Sequence, residues 1–272
     1  KHTTREAPRD ISLRLIVGVC MSVLHSVNAR GSLMFQSASK FFTLLGTMGM
    51  VGALCAAAPA QAATIIDTWH VMGMKGTGSN DFVLDDVFIP DEHTFSLLDP
   101  PQENGTLYHP RFFFAGLWTQ TVANSLGMAR GAMDAYLELA AQAGSTMSST
   151  LLRDRLPAQS AVGEAEAIIS GARAYVLDAV GRAGRAVCNG SPDPTWEIAQ
   201  ARLAITHGMR ESVRAVDILF HAAGTNAVHR KHPLERFFRD IHVAVQHVAG
   251  LPSNIEAGGR VMLGLPPGGL GW

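Results

Sequence analysis

With 272 residues, 47% of them hydrophobic, and a formal net charge of −1, the chain has ample apolar material for a packed core and no charge imbalance to recruit nucleic acid. Charged residues make up only 17%, which excludes a polyelectrolyte tail and leaves small molecules as the natural partners. The three cysteines, Cys20, Cys55 and Cys188, are far apart and odd in number, so neither a disulfide framework nor a metal site is expected.

Residues 1–63 differ in texture from the rest of the chain. From Met34 a signal-peptide layout appears: Lys40, an apolar run from Phe41 to Cys55, and Ala60-Gln61-Ala62 ahead of Ala63, giving a signal-like stretch over 34–62. The same stretch can equally be read as a buried helix or as sequence foreign to the fold. Its apolar run falls short of the ~20 residues that a membrane span needs, so no span is expected.

Strand character begins at Ile65, and residues 64–105 read as a partial β domain. Ile65-Ile66, Trp69 to Met72, Phe82 to Leu84 and Val87 to Ile89 are β-prone pieces around the glycine-rich loop Gly73 to Asp81. That loop fits neither the dinucleotide fingerprint nor the phosphate loop, because its glycine spacing is wrong and no helix follows. Residues 106–272 read as helices. One is expected from Phe112 to Ala143, a second from Leu156 to Cys188, and a third from Asp193-Pro194 toward Gly224. Helices of this length joined by short links pack most simply as an antiparallel four-helix bundle.

The fourth helix, Pro233 to Gly250, concentrates the reactive side chains, with Pro233 suited to its first turn and Gly250 to the position past its end. Leu234, Phe237, Phe238, Ile241, Val245 and Val248 form an apolar stripe. Arg236, Asp240 and His247 fall on one flank, and Arg239, His242 and Gln246 on the other. Two readings stand: a solvated lattice of four-apart ion pairs, or a flank that lines a site, anchored by an Arg-Asp pair and offering His247 for proton transfer.

Two motifs now stand in order. Trp69-His70-Val71-Met72-Gly73-Met74-Lys75-Gly76-Thr77-Gly78-Ser79-Asn80-Asp81-Phe82 runs on to Phe88-Ile89-Pro90, and Ala222-Ala223-Gly224-Thr225 leads to Pro233-Leu234-Glu235-Arg236-Phe237-Phe238-Arg239-Asp240-Ile241-His242. With the terminal Gly258-Gly259-Arg260-Val261-Met262-Leu263-Gly264-Leu265 they make Ile65 to Trp272 resemble the acyl-CoA dehydrogenase superfamily, and more closely its flavin-dependent, two-component monooxygenase branch. The resemblance implies a mainly α fold, a C-terminal bundle preceded by a remnant of the family's β-barrel domain, and a homodimer or homotetramer. It implies a flavin near His221, Gly224 and Thr225, with His221 and Thr225 standing where the family carries a glutamine and a second glycine. It also places Thr77 and Ser79 on a turn facing the flavin and substrate region, where their hydroxyls either bind a ring or close the turn.

An acyl-CoA dehydrogenase needs a carboxylate to take the proton alpha to the thioester. The two places where the family keeps one are empty here: Arg111 to Ser125 has no acid, and after Asp240 the next is Glu256. The monooxygenase branch uses reduced FMN or FAD, supplied by a separate flavin reductase, and a flavin C4a-hydroperoxide to oxygenate an aromatic or heteroaromatic substrate. By resemblance His247, seven residues after Asp240, is the residue near the flavin that steers proton delivery, with His242 as a helper. The alternatives are dehydrogenation of a CH–CH bond and a non-catalytic helical oligomerisation remnant. The resemblance implies a cytoplasmic protein, and the 34–62 stretch implies export if it works as a signal.

Overall fold

The computed structural model describes residues 63–85, 88, 100–103, 105–145, 148–269 and 272, with short strands at 13–14, 26–27, 33–34, 54–56 and 94–96. The signal-like stretch 34–62, those strand residues apart, lies outside them, as do Cys20, Ile89 and Pro90. Two compact units divide the chain: residues 1–71 with 75–100, and residues 72–74 with 101–272.

In the first unit, β1 (Ala63–Ile66) and β2 (Asp81–Leu84) form a two-stranded antiparallel sheet in which Ile65 faces Phe82 and Ala63 faces Leu84. β-branched side chains at Thr64, Ile65, Ile66 and Val83 suit the extended backbone. Asn80 ties the base of the sheet, its side-chain oxygen accepting the amides of Thr68 (3.1 Å) and Trp69 (2.9 Å). A single 3-10 turn, Lys75–Thr77, lies in the glycine-rich connection.

The second unit is helical. α1 (Phe113–Gln142), α2 (Leu156–Cys188) and α3 (Thr195–Ala223) are the three long helices, and their boundaries fall within two residues of those the sequence predicts. Pro157 opens α2, where its missing N–H costs nothing, and Asp193 accepts the Thr195 amide at the start of α3. A two-stranded link, β3 (Gly144–Ser145) with β4 (Ser148–Leu151), joins α1 to α2. Cross-helix pairs give the directions. Arg130 of α1 meets Glu166 of α2, while Phe112 lies beside Gly184, so these two run antiparallel. Arg214 of α3 meets Glu164, and Tyr175 meets Gln200, so α2 and α3 are antiparallel as well.

Small residues set how closely these helices approach. The buried face of α2 is largely alanine, with Ala158, Ala161, Ala165, Ala172, Ala179 and Ala183, and that of α1 contributes Ala115, Ala129, Ala132 and Ala140 among larger side chains. At Gly208 of α3 an added Cβ would lie 2.8 Å from Val122 and 3.0 Å from Val176, so the three helices converge where no side chain fits. Tyr136, Met133, Ile205, Met209, Val216 and Leu219 fill the remaining core.

The fourth helix is shorter than its sequence suggests. α4 spans Pro233–Ala244, entered through the His232 ring, which accepts the Leu234 amide (3.2 Å), and it gives way to a separate 3-10 turn at Val248–Gly250. Neighbours hold that turn: Thr206 of α3 donates to the Ala249 carbonyl (2.6 Å), and Asn254 donates to the Val248 carbonyl (2.9 Å). His247 therefore leaves the flank it shares with Arg236 and Asp240 in an ideal helix. A fifth helix, α5 (Pro252–Met262), completes the bundle in place of the four expected, its Gly258-Gly259 pair having hidden it. Gly258 is where α5 meets Leu203 of α3, whose Cβ would lie 3.5 Å from a Cβ added at Gly258.

α4 depends on a few anchors, Leu234 and Ile241 being fully buried and Phe237 packing over Gly131 of α1, whose Cβ would fall 2.6 Å from the ring. Leu234→Ala is expected to lower unfolding free energy by about 2–5 kcal/mol, through lost transfer energy and a residual cavity. Leu177→Ala, at a position 56% exposed, should stay within about 0.5 kcal/mol. Urea denaturation of both variants checks the contrast.

Candidate functional site

The C-terminal end of α3 and the body of α4 bring together most of the side chains singled out in the sequence. α3 ends at Ala223 because Gly224 turns into the left-handed region at φ 58° and ψ −139°, a conformation an L-residue rarely takes. A 3-10 segment, Gly224–Val228, follows and leaves Gly224 and Thr225 exposed. His221, one turn earlier, is exposed, and its Nδ1 donates to the Asp217 carbonyl (2.7 Å), since a carbonyl can only accept. His242 of α4 reaches the same helix from the other side: its Nδ1 donates to the Phe238 carbonyl (2.7 Å), and its Nε2 stands 3.4 Å from the Asp217 carboxylate. Asp217 thus meets His221 through its backbone and His242 through its side chain.

An aromatic stack accompanies this polar set. Phe220 and Phe238 lie face to face at 4.2 Å between centroids, and His242 adds a third ring at 4.5 Å from Phe238. Neither Asp217 nor Phe220 was singled out as a site residue from the sequence. The signal that could have found them is the spacing, four residues before His221 for Asp217 and the adjacent position for Phe220, but only docking of α4 gives that spacing a partner.

His247 sits apart, on the turn after α4. It is half-buried, and its Nδ1 accepts the Ala249 amide (3.2 Å), which leaves the proton of the neutral ring on Nε2. Thr77 and Ser79 belong to the strand unit, where the Ser79 hydroxyl donates to the Thr77 hydroxyl (3.2 Å) and closes the turn.

The polar face of α4 keeps one of the four-apart ion pairs of the first reading and adds partners from segment 72–74 that neither reading foresaw. Arg239 grips Glu235 with two nitrogens (2.6 and 2.9 Å), a carboxylate that raises its pKa, and also donates to the Met72 carbonyl (2.6 Å). Asp240 accepts the Met74 amide (2.6 Å), so segment 72–74, and not Arg236, is its partner. Gly73 lies between these contacts, where a Cβ would overlap the Arg239 carbonyl.

The space where a Gly224 Cβ would stand is open to 4 Å, which admits close backbone approach by a ligand; beside it the exposed Thr225 hydroxyl can donate, and the exposed His221 ring, its Nδ1 proton engaged on Asp217, offers Nε2 as an acceptor when neutral. Among the described residues, no group of three or more His, Cys, Asp or Glu side chains is placed to hold a metal ion.

Three long helices running up, down and up, closed by two short ones, with a glycine-terminated third helix carrying the site, define a helical-bundle domain of the acyl-CoA dehydrogenase type. Residues 120–250 match the family model described as the acyl-CoA dehydrogenase C-terminal domain, and the chain's helical unit belongs to that family. The chain is 30% identical to indole-3-acetate monooxygenase of Pseudomonas putida, over 77% of this chain and 54% of that protein. It is 28% identical to the flavin-dependent monooxygenase oxygenase subunit HsaA of Mycobacterium tuberculosis, over 77% of this chain and 56% of that one. The structure of XiaF from a Streptomyces species, solved with FADH2 and glycerol, superposes with a TM-score of 0.75 at 25% identity, covering 91% of this chain and 60% of that chain. The chain thus spans about half the length of the curated relatives it matches. Among the described residues, no helix is long and apolar enough to cross a membrane.

Burial pushes the His247 imidazole below its ordinary value of 6.5. Between the lowered folded value and 6.5 the unfolded chain binds the proton and the folded chain does not, so stability is intact above 6.5 and declines as pH falls below it. Protonation would also cost Nδ1 its role as acceptor for Ala249. The wild type is therefore expected to lose denaturation midpoint more steeply than His247→Gln between about pH 7 and about pH 5. Parallel pH profiles would show that His247 is not the group responsible.

Proposed function

We propose that this chain carries the C-terminal part of the oxygenase component of a two-component flavin-dependent monooxygenase, acting on an aromatic or heteroaromatic small molecule. Reduced FMN or FAD would be delivered by a separate flavin reductase, and when bound it supplies the electrons for dioxygen activation. His221, Gly224 and Thr225 hold the phosphate or adenosine part of the flavin, with Thr77 and Ser79 lining the side of the strand unit. The remaining chemistry asks the protein for a dry pocket and one well-placed proton donor.

The observation that carries this reading is His247. Its ring is kept neutral by burial and fixed by the Ala249 amide on Nδ1, so it presents Nε2–H near neutral pH. His242, oriented by the Phe238 carbonyl and facing Asp217, is the secondary proton carrier. Dehydrogenation of an acyl thioester is less well served: the first acid along α1 is Asp134, and after Asp240 the next acid is Glu256 in α5. Exposed Trp196 and Leu263 offer the helical unit surface for a homodimer or homotetramer.

Anaerobic titration of the chain with reduced FMN and with reduced FAD, followed by oxygen and a panel of aromatic compounds, tests the reading. Saturable binding and a hydroxylated product are expected. In His247→Ala the ratio of product to released hydrogen peroxide should fall by about a hundredfold, the usual scale of a lost proton donor, with flavin affinity little changed. An unchanged ratio would remove His247 from the reaction, and absence of flavin binding would leave the chain as a helical scaffold.

A further inference from the structure

Met74 is, among the described residues, the single non-glycine residue with a positive φ, at 54°. The left-handed region brings the Cβ of an L-residue against its own carbonyl, so the conformation persists only where the surroundings impose it. What imposes it here is α4. The Asp240 carboxylate accepts the Met74 amide at 2.6 Å, and Arg239 donates to the Met72 carbonyl at 2.6 Å. Between these two bonds Gly73 lies against the helix backbone, with its missing Cβ only 2.8 Å from the Asp240 nitrogen. Three consecutive residues, 72–74, are thus clasped onto a helix more than 160 positions later in the chain.

We propose that Asp240 is a positioning residue, whose carboxylate holds Met74 in the left-handed conformation and so sets the root from which the glycine-rich turn Lys75–Thr77 departs. The division of labour on α4 supports this. Arg239 is engaged on both sides, its Nε and Nη2 on Glu235 and its Nη1 on Met72, and it fixes the segment's entry. Asp240 holds the segment's exit, the amide of Met74, the residue immediately before Lys75. A carboxylate suits that position because an ionised one accepts only, and a charge-assisted bond to a backbone N–H is about twice as strong as a neutral one. Glycine suits position 73 because any Cβ would push the segment off the helix. The purpose given to this clasp, holding the turn that carries Thr77, rests on the flavin reading above.

Hydrogen exchange followed by mass spectrometry on the full chain reads the clasp without activity. In Asp240→Ala, exchange over residues 72–76 should rise by about tenfold or more, the equivalent of losing one charge-assisted bond, with α1, α2 and α3 unchanged. Asp240→Asn, which keeps an acceptor oxygen, should rise less. Met74→Gly removes the conformational conflict, so Met74→Gly combined with Asp240→Ala should recover much of the lost protection. A purely structural role for Asp240 would not produce that rescue. Unchanged exchange in Asp240→Ala, loss spread evenly over the helices, or failure of the rescue would each overturn the proposal. The same samples with reduced flavin separate the two readings: added protection over 72–78 in the wild type, weakened in Asp240→Ala, supports the turn's purpose. If the exchange pattern holds but flavin protects nothing in the wild type, the clasp stands and the flavin role of the turn falls.

Discussion

The approach of α1, α2 and α3 around Gly208 is the constraint on which the helical unit rests. Val122 and Val176 occupy the volume a side chain there would need, so the three axes come as close as alanine and glycine allow. Burial of Ile205, Met209, Val216 and Leu219 along the same helix then supplies the apolar free energy, on the order of 1.5–3 kcal/mol for each large side chain. α3 is therefore central, touching every other helix of the unit, and its two ends do different work.

At its beginning α3 is tied down by a buried cation. The Arg202 guanidinium lies between the rings of Trp118 (4.6 Å) and Trp272 (4.2 Å) and donates to Asn254 (3.1 Å), while burial brings its pKa down to about 10. Asn254 extends the network, donating to the Val248 carbonyl, and Thr206 one turn after Arg202 takes the Ala249 carbonyl. These polar ties link α3, α5 and the turn bearing His247. Side chains that look like ordinary core or surface residues in the sequence thus decide where that histidine sits. At its other end α3 stops at a left-handed glycine, and the exposed segment beyond it lies near the Phe220, Phe238 and His242 stack. Structural rigidity and exposed donor groups are separated along one helix.

The long helices were legible in the sequence because their signals are local. Apolar residues recurring at three- and four-residue steps, Pro157 at a first turn and glycines past the ends act over one turn of chain. The same holds for His221, Gly224 and Thr225, which are neighbours in sequence and so are neighbours in space. α5 was missed because its glycines lower local helix propensity while packing against Leu203 compensates. The end of α4 was misplaced because the turn after it is held by Thr206 and Asn254, from α3 and α5, contacts that no local signal announces.

The sequence by itself determined the mainly helical class and the three long helices. Tertiary structure alone decided what the reactive side chains meet: Asp217 beside His242, Asp240 on Met74 instead of Arg236, and His247 on a captured turn and not on a helix flank. The reason is range. Helix propensity and capping act within a few residues, whereas each of these contacts joins positions that only packing of the bundle brings together.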